Sequence, residues 1–484
     1  MLFNSINFAI FLPIVLLLYW FATNGDLKKQ NILLLVSSYF FYACWDWRFL
    51  FLLIFSTLLD YYTGIKISEA TNKKGKAFWL WLSIGINLGF LGVFKYYNFF
   101  TASFADGLSL LGFKANFGTL QIILPVGISF YTFHGLSYVI DLYKNRIKPE
   151  RNFISYSVFV SFFPLLVAGP IERATHLLPQ ILTKRKFDYT QAIDGLRQML
   201  WGFFKKIVIA DNCAEYANTI FGNSAHYGGS TLVLGALFFT FQIYCDFSGY
   251  SDIALGTARL FGIDLLRNFA FPYFSRDIAE FWRRWHISLS SWFKDYLYIP
   301  LGGSKGGTWM KVRNTFIIFL VSGFWHGANW TFIVWGFLNA LYIMPSIIFN
   351  THRNNLNIVA QGKLLPGIKD FLSIVLTFCL TVFAWIFFRA ENVHHAFSYI
   401  GEIFSSSIYS SPSFPGIASA KAMIFLILLC FGTEWVQRTK QHALQFADGS
   451  TLKSYSIIIF NCIIIWSIIL WGAFGNKSFI YFQF

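Results

Sequence analysis

Phe281-Trp-Arg-Arg-Trp-His-Ile-Ser-Leu-Ser290 opens a stretch that closes with Ser322-Gly-Phe-Trp-His-Gly-Ala-Asn-Trp330. The first motif places His286 among tryptophans and arginines, in a basic segment that we expect at the surface. The second places His326 inside a long uncharged run, which we expect to lie within a membrane. Because ionisable groups are unfavourable inside a bilayer, a histidine in such a run predicts a functional site.

The composition predicts an all-α polytopic membrane protein. The 484 residues are 56% hydrophobic and 13% charged, and the mean hydropathy is +0.53, far from the values of soluble proteins. The net charge of +15 arises from short basic clusters between apolar runs, a pattern that orients membrane proteins and does not indicate nucleic-acid binding. The six cysteines are scattered, so we expect neither disulfides nor a metal site.

Apolar runs predict the membrane-crossing segments. Phe8–Ala22 is interpreted as a retained first span because no signal-peptide cleavage site follows it, and Lys28 and Lys29 then place the N-terminus outside. We expect about twelve crossings in total, with the C-terminus also outside. The further predicted runs are Asn31–Trp45, Phe49–Thr63, Ala77–Phe94, Gly118–Ile140, Leu196–Ala210, Gly229–Ala258, two in Asn314–His352, Phe371–Phe388, Ala422–Phe431 and Ser454–Asn476.

Two apolar stretches carry signals for a break. Phe153–Ile171 contains Pro164 and a Gly-Pro pair and has basic clusters on both sides, which predicts a segment that enters and leaves by the same face. Asp246 and Asp252 are six residues apart, which is not a same-face spacing on a helix, so we predict a break at Gly249. We expect these carboxylates to pair with arginine or to line an internal cavity.

The stretch around the two histidines has a polar and an apolar half. From Ile278 to Phe293 large apolar residues recur every three or four positions, which predicts an amphipathic helix along the membrane interface with arginines on its other face. Asn314–His352 contains no Asp, Glu, Lys or Arg, and at about 1.5 Å of rise per residue it is long enough for two crossings. The turn after His326 is then a hairpin apex.

Six motifs in this order resemble the membrane-bound O-acyltransferase (MBOAT) family, in the branch with the alginate O-acetylation and teichoic-acid D-alanyl transfer proteins. The resemblance covers most of the chain. The motifs are Gly169-Pro-Ile-Glu-Arg173, Asp246-Phe-Ser-Gly-Tyr-Ser-Asp252, Phe281-Trp-Arg-Arg-Trp-His286, Tyr298-Ile-Pro-Leu-Gly-Gly303, Trp325-His-Gly-Ala-Asn-Trp330 and Trp385-Ile-Phe-Phe-Arg-Ala390.

The resemblance implies a fold and a function. The fold would be a ring of about twelve transmembrane and re-entrant helices around a central funnel. We expect one membrane domain over 1–484, with N-terminal spans (1–152), a catalytic core (153–350) and C-terminal spans with an aromatic tail (351–484). The protein would pass an acetyl group from cytoplasmic acetyl-CoA, or another acyl thioester or acyl carrier protein, to an extracytoplasmic polysaccharide. A separate extracytoplasmic esterase-like (SGNH) protein would complete the transfer, and the membrane would be the bacterial inner membrane.

Acyl transfer to a hydroxyl needs a base, and imidazole has the side-chain pKa nearest neutrality. We therefore predict that His326, which matches the family's near-invariant histidine, is the general base; the alternative is a histidine bonded to a backbone carbonyl at a helix break. Asn329 would orient that imidazole, donate to the oxyanion or simply cap the hairpin. His286 would assist catalysis or serve only as an interfacial anchor.

Basic residues near His286 are candidates for binding the donor. Arg283, Arg284, Lys294 and Lys305 would hold the phosphates of coenzyme A by charge-assisted hydrogen bonds, unless they only orient the protein in the membrane. We also expect Trp285, Trp325 and Asp246 at the substrate site. No bound cofactor and no metal are predicted.

The end of the sequence, Phe479-Ile-Tyr-Phe-Gln-Phe484, has two interpretations. It is either an aromatic belt at the membrane interface or, by resemblance to tails in this branch, a segment whose Tyr481 accepts the acyl group. Two alternatives to O-acetyl transfer stay open at this point. One is D-alanyl or lipid acyl transfer by the same fold, and the other is a proton-coupled transporter, which would require two repeated halves with broken helices.

Overall fold

The structure is a computed structural model that describes residues 1–113, 118–120, 123–166, 169–446, 454–475 and 479–480. Over these ranges the chain forms α-helices with short π and 3₁₀ turns and contains no strand, so the predicted all-α class is confirmed. Contacts divide the chain into two compact units, one of residues 1–188 with 258–265 and one of 189–257 with 266–484. The single domain divided at 152/153 and 350/351 stays a prediction.

The described residues of the first unit form nine helices. They are α1 (Ile6–Leu17), α2 (Leu27–Ala43), α3 (Trp47–Glu69), α4 (Lys73–Leu91), α5 (Tyr97–Leu110), α6 (Ile128–Tyr143), α7 (Phe153–Ser161), α8 (Phe163–Leu166) and α9 (Ala174–Leu182), with π turns at Leu18–Ala22 and Gly92–Tyr96.

The second unit contains the remaining eleven helices, although the last residues of α12 belong to the first unit. They are α10 (Tyr189–Phe203), α11 (Asp211–Gly222), α12 (Gly229–Leu260), α13 (Ile278–Arg284), α14 (Ile287–Phe293), α15 (Gly307–His326), α16 (Trp330–Ile348), α17 (Ile368–Arg389), α18 (Val393–Ile403), α19 (Ile417–Val436) and α20 (Ser454–Trp471). Its π turns are Phe204–Ala210 and Lys294–Tyr298, and its 3₁₀ turns are Ser224–His226, Pro272–Phe274 and Ser406–Tyr409.

Six helical stretches of the described chain have the length and apolar composition of a membrane crossing. Two shorter apolar stretches, Ile6–Ala22 and Tyr455–Trp471, accompany them. The chain is therefore a multi-pass membrane protein, whereas the ring around a funnel stays a prediction. The six stretches are Trp47–Glu69, Lys73–Leu110, Gly229–Leu260, Trp330–Ile348, Ile368–Arg389 and Ile417–Val436.

The break predicted after Phe153 is present, and two predicted runs have different bounds. The helix that begins at Phe153 ends at Ser161, and Pro164 lies in a separate short helix. The run expected from Gly118 becomes helical only at Ile128, after Gly127 in the left-handed conformation (φ 74°). The run from Ala77 continues to Leu110.

The break predicted at Gly249 is wrong, because α12 is continuous from Gly229 to Leu260. Gly249 instead permits close packing. A Cβ atom on Gly249 would lie 2.8 Å from the carbonyl oxygen of Gly202, and one on Gly202 would lie 2.6 Å from that of Gly249. Small residues let helices approach in this way, so the glycine that suggested a break marks a helix–helix contact.

The sequence also predicts that the short span Leu196–Ala210 is followed by an exposed acidic loop with Asp211 and Glu215, and both predictions are wrong in detail. Helix α10 begins at Tyr189, and a π turn connects it to α11, which begins at Asp211. Asp211 is buried and pairs with Lys206 at 2.8 Å, so it does not lie in an exposed loop. A buried carboxylate requires such a partner.

The single amphipathic helix predicted from Ile278 to Phe293 is two helices with a break at Trp285 and His286. Of the two arginines expected on its exposed face, Arg283 is exposed and Arg284 is half-buried. Arg276 and Arg284 both pair with the buried carboxylate of Glu280, at 3.0 and 2.8 Å. The apolar spacing continued through the break, so the pattern alone could not reveal it.

The predicted hairpin after His326 is confirmed by α15 and α16, which pack closely. Two glycines allow this contact. A Cβ atom on Gly323 would lie 2.2 Å from the carbonyl oxygen of Phe332, and one on Gly336 would lie 2.3 Å from that of Phe319. This packing fixes the end of α15, where His326 is located.

Candidate active site

His286 occupies the break between α13 and α14 in the left-handed conformation, with φ 43°. For a residue other than glycine this conformation costs roughly 1–3 kcal/mol, so the surrounding structure must stabilise it. Residues 268–270 of the same chain stabilise this conformation by hydrogen bonds. The Ile287 amide donates to the carbonyl of Asn268 at 2.9 Å, and the Ala270 amide donates to the carbonyl of Arg284 at 2.9 Å. The Ser288 hydroxyl adds a bond of 2.6 Å to the Asn268 side chain.

The imidazole of His286 is buried and forms no hydrogen bond with the described residues. The residue is 1% exposed, and neither ring nitrogen has a hydrogen-bond partner in the part of the chain that the structure describes. Its prediction as a surface or interfacial residue is therefore wrong. It lies outside the candidate spans, and burial lowers its pKa from the usual 6.5 to about 3. The ring is neutral at physiological pH and retains one donor and one acceptor for a bound molecule.

His326, the last residue of α15, is 3% exposed and surrounded by aromatic rings. The ring centroids of Trp325, Trp335 and Phe388 lie 5.0, 5.1 and 5.3 Å from that of His326. A general base requires the neutral form of the imidazole. Two of these aromatic residues, Trp335 and Phe388, were not predicted as site residues from the sequence.

The two histidines share one tryptophan. The ring of Trp325 lies 6.1 Å from that of His286 and 5.0 Å from that of His326. Trp285, also predicted at the site, is buried and contacts Trp385 at 5.1 Å, and Trp385 stacks on Trp335 at 5.6 Å. The structure therefore brings His286, Trp325 and His326 together in one aromatic core.

Asn329 forms the cap of α16. Its side-chain oxygen accepts from the Thr331 amide at 3.0 Å, and its amide nitrogen donates to the carbonyl of Glu391 at 2.8 Å. These bonds are those of a helix N-cap, the structural alternative considered for this residue. A direct role of Asn329 in catalysis stays a prediction.

The two neighbouring arginines have different surroundings. Arg284 pairs with Glu280 and donates to the carbonyl of Ala270, which are contacts within the protein. Arg283 donates to the carbonyls of His352 and Asn355 at 2.8 and 2.7 Å and lines a cavity. Arg283 thus lines this cavity, whereas Arg284 is not among its lining residues.

That cavity has a volume of about 330 Å³ and a basic lining. Lys311 and Arg353 lie in its wall beside Arg283, and neither was singled out in the sequence. Trp282 also lines it, 5.7 Å from the ring of Trp335, which contacts His326. Two aromatic rings thus connect the cavity to the buried histidine. We name this space the basic cavity; its lining is Ala279, Trp282, Arg283, Tyr298, Ser304, Lys311, Thr315, Ile343, Ile347, His352, Arg353 and Leu356.

The two predicted phosphate-binding lysines are not in the lining of the basic cavity. The Lys294 side chain is 63% exposed and lies 3.8 Å from Asp295. Lys305 is exposed beside Ser304, which does line the cavity. Their role toward the donor stays a prediction.

Asp246 and Asp252 form ion pairs with two consecutive lysines. Asp246 lies 2.8 Å from Lys206, and Asp252 lies 2.6 Å from Lys205. Lys205 also lies 3.7 Å from Glu434, another buried residue that the sequence analysis did not single out. The sequence contained a signal for Glu434, because a charged residue inside an apolar helical sequence rarely lacks a partner or a function.

Tyr481 lies outside the described residues, so its acyl-accepting role stays a prediction. Among the described residues there is no group of three side chains suited to hold a metal ion, and the six cysteines are free.

A family pattern and several known proteins match this sequence. The pattern of the MBOAT, membrane-bound O-acyltransferase, family covers residues 144–388. The probable alginate O-acetylase AlgI of Pseudomonas putida is 38% identical over 504 aligned residues, which cover 100% of both chains. The peptidoglycan O-acetyltransferase of Helicobacter pylori is 37% identical over 427 residues, which cover 82% of this chain and 78% of that protein.

A teichoic acid D-alanyltransferase of Bacillus subtilis is 28% identical over 291 residues, which cover 57% of this chain and 71% of that protein. The family pattern spans about half of the chain, and the similarity to the first relative extends over its full length. The chain therefore belongs to the membrane-bound O-acyltransferase family and is a membrane acyltransferase.

Proposed function

We propose that this protein is an O-acetyltransferase that takes acetyl from cytoplasmic acetyl-CoA and passes it across the membrane to an extracytoplasmic polysaccharide. The observation that carries the proposal is the pair of buried imidazoles on either side of Trp325. The names of the alginate and peptidoglycan O-acetylating relatives support acetyl as the acyl group. The D-alanyltransferase matches at lower identity and over less of the chain, which disfavours D-alanyl transfer.

In the proposed reaction His326 is the general base. It accepts the proton of the acceptor hydroxyl as the oxygen attacks the thioester carbonyl. The tetrahedral intermediate collapses with cleavage of the C–S bond, and His326 returns the proton to the departing thiolate. Such proton transfer contributes roughly 100- to 10,000-fold to a rate.

His286 is the second polar group of the site. Its neutral imidazole has a ring N–H available, and we propose that it donates to an oxygen of the substrate. A donor in a water-poor site stabilises developing charge effectively because no reorganisation is required. Trp285 and Trp325 form the apolar wall, and Asn329 holds the hairpin that carries His326.

The basic cavity is the proposed binding site for the phosphates of coenzyme A. Arg283, Lys311 and Arg353 supply positive charge there, and guanidinium groups bind phosphate with paired hydrogen bonds. Trp282 in the wall of this cavity contacts Trp335, which contacts His326, so the cavity lies two ring contacts from the base. Arg284, which is held by Glu280, supports the wall and does not contact the donor.

Beyond the donor, we propose the arrangement expected from the sequence. The protein would lie in a bacterial inner membrane with both termini outside, in contact with lipid and with an extracytoplasmic SGNH esterase-like partner. Tyr481 would carry the acetyl group to that partner. Loss of polymer acetylation in Tyr481→Phe, with normal acetylation in the exposed control Tyr455→Phe, would support this role, and normal acetylation in Tyr481→Phe would exclude it.

The test of the proposed function is mass analysis of O-acetyl groups on surface polysaccharide. A strain that lacks the protein is complemented with the wild type, with His326→Ala or with His226→Ala, which changes an exposed histidine of the same unit. We expect the wild type and His226→Ala to restore acetylation and His326→Ala to match the deletion strain. Acetylation by His326→Ala above the deletion level would contradict the assignment of the base.

A further inference from the structure

Phe479 and Ile480 are inserted into the protein. They are 0% and 1% exposed, although Phe474, a few residues earlier, is 66% exposed. The ring of Phe479 lies 4.6 Å from that of Tyr250 and 5.7 Å from that of Phe247, both on α12. Burial of an aromatic and a branched aliphatic side chain stabilises this position of the segment.

A buried carboxylate holds the same segment. The backbone N–H of Ile480 donates to Oδ2 of Asp246 at 2.8 Å, while Oδ1 of Asp246 lies 2.8 Å from Nζ of Lys206. Lys206 is itself fixed by Asp211, also at 2.8 Å. A hydrogen bond to an ionised carboxylate is roughly twice as strong as a neutral one, so this is a firm point of attachment.

The chain before this segment is attached to the same region. The Asn212 side chain donates to the carbonyl of Trp471 at the end of α20 at 2.9 Å. The Ala473 amide donates to the carbonyl of Ile207 at 3.1 Å. Contacts to residues 206–212 therefore fix the exit from α20 as well as the Asp246 attachment point.

The attached segment lies close to His286. The ring of Phe247 contacts Phe479 on one side and lies 4.6 Å from the His286 ring on the other. Phe247 thus contacts both the inserted segment and the imidazole of His286. Movement of Phe479 would change the packing of Phe247 and with it the position of His286.

We propose that Asp246, fixed by Lys206, is a positioning residue that docks the Phe479–Ile480 segment as a wall of the acyl-transfer site. This inference rests on the proposed function and replaces the expected contact of Asp246 with substrate. The docked segment keeps Phe247 and His286 in place. Displacement of a catalytic group by about 1 Å can lower a rate by roughly 100-fold, so loss of docking is expected to impair turnover.

The test removes the backbone hydrogen bond between Ile480 and Asp246. Ile480→Pro lacks the backbone N–H that Asp246 accepts, and Ile480→Val keeps the N–H and most of the buried side chain. Hydrogen–deuterium exchange of the peptide that contains Phe479 reports docking in the purified protein, and CoA release from acetyl-CoA reports turnover. We expect fast exchange and a kcat lowered roughly 10- to 100-fold in Ile480→Pro, with KM for acetyl-CoA and the unfolding temperature unchanged. Ile480→Val is expected to resemble the wild type.

Two results would overturn the inference. One is rapid exchange of the Phe479 peptide in the wild type, which would show that the segment is not docked. The other is a wild-type kcat in an Ile480→Pro variant whose peptide exchanges rapidly, which would show that docking does not position the site. Neither result depends on His326, whose replacement tests the proposed function itself.

Discussion

Two buried polar groups of the second unit, Lys206 and His286, differ in their hydrogen-bond and ion-pair partners. Lys206 and His286 are each 1% exposed. Lys206 has two carboxylates at 2.8 Å, whereas His286 has no partner on either ring nitrogen among the described residues. Burial of a polar group without a hydrogen-bond partner is unfavourable by about 1–3 kcal/mol. Such a group therefore indicates a function, such as a hydrogen bond to a bound substrate.

The comparison distinguishes residues that stabilise the fold from a residue that is available to bind substrate. The lysine and carboxylate pairs are satisfied within the protein and attach α12, the π turn at Phe204–Ala210 and the segment at Ile480 to one another. The imidazole of His286 is held by a strained backbone and left available for a ligand. The following predictions test this division, beginning with the largest expected effect.

Replacement of Lys206 by methionine should affect folding most. The variant leaves Asp211 and Asp246 buried without their cation, and breaking a buried ion pair costs roughly 3–5 kcal/mol. We expect a large loss of folded protein, measured by fluorescence-detected gel filtration in detergent. The exposed Lys363 of the same unit provides the control, and Lys363→Ala should be as abundant as the wild type. Normal abundance of Lys206→Met would remove the structural role of this pair.

Gly323→Ala should separate the hairpin that carries His326. The added methyl group would lie 2.2 Å from the carbonyl oxygen of Phe332, which is backbone and cannot move aside freely. We expect a loss of about 1–3 kcal/mol in stability and a lower transfer rate. Gly432→Ala, on α19 with open space around the new methyl group, serves as the matched control. Equal unfolding temperatures for the two variants would contradict the packing argument.

His286→Gln should change both rate and acid stability. The pKa of His286 is about 3 in the folded protein and about 6.5 in the unfolded chain, so between these values only the unfolded chain binds the proton. Wild-type stability should therefore fall as the pH is lowered from 6.5 toward 3, and less so in the variant. Unfolding temperatures at pH 7 and pH 5 measure this difference.

The same His286→Gln variant should transfer acetyl roughly tenfold more slowly, the value of one lost hydrogen bond to substrate. His286 is neutral over the physiological range, so its titration does not affect the rate near pH 6.5. The pH profiles of the wild type and the variant should therefore have the same shape in this range. Equal rates for variant and wild type would assign His286 a structural role only.

Arg283→Ala should have the smallest effect and should change KM more than kcat. The cavity retains Lys311 and Arg353, so we expect a several-fold increase in KM for acetyl-CoA, about 1 kcal/mol or less. Steady-state kinetics with acetyl-CoA and with a donor that lacks the nucleotide phosphates provide the comparison. An equal effect of Arg283→Ala on both donors would contradict binding of phosphate in the basic cavity.

The sequence predicted the elements that depend on local composition. The uncharged run 314–352 and the Gly-Ala-Asn turn were sufficient to predict the hairpin and to locate His326 at its end. The function class followed from the family motifs. The break at His286 could not be predicted, because the residues around it are held by hydrogen bonds that Asn268 accepts and Ala270 donates, and the spacing of apolar residues does not show these bonds.

The misreading of Gly249 has a similar cause. Glycine both ends helices and permits their close contact, and only the partner glycine at 202 distinguishes the two. The partners of Asp246 and Asp252 were missed because a π turn presents two consecutive lysines to α12, an arrangement without a simple sequence signal. The basic cavity was partly predicted through Arg283, while Lys311 and Arg353 belong to segments that only the fold brings together.

The central claim is that the buried imidazole of His326 removes the proton during acyl transfer. The most direct measurement is the acceptor-dependent release of CoA thiol from acetyl-CoA by the purified wild type and by purified His326→Gln. The comparison requires that the two proteins have the same unfolding temperature. We expect the rate of His326→Gln to fall by roughly 100- to 10,000-fold. Release of CoA by a folded His326→Gln protein at the wild-type rate would contradict the claim.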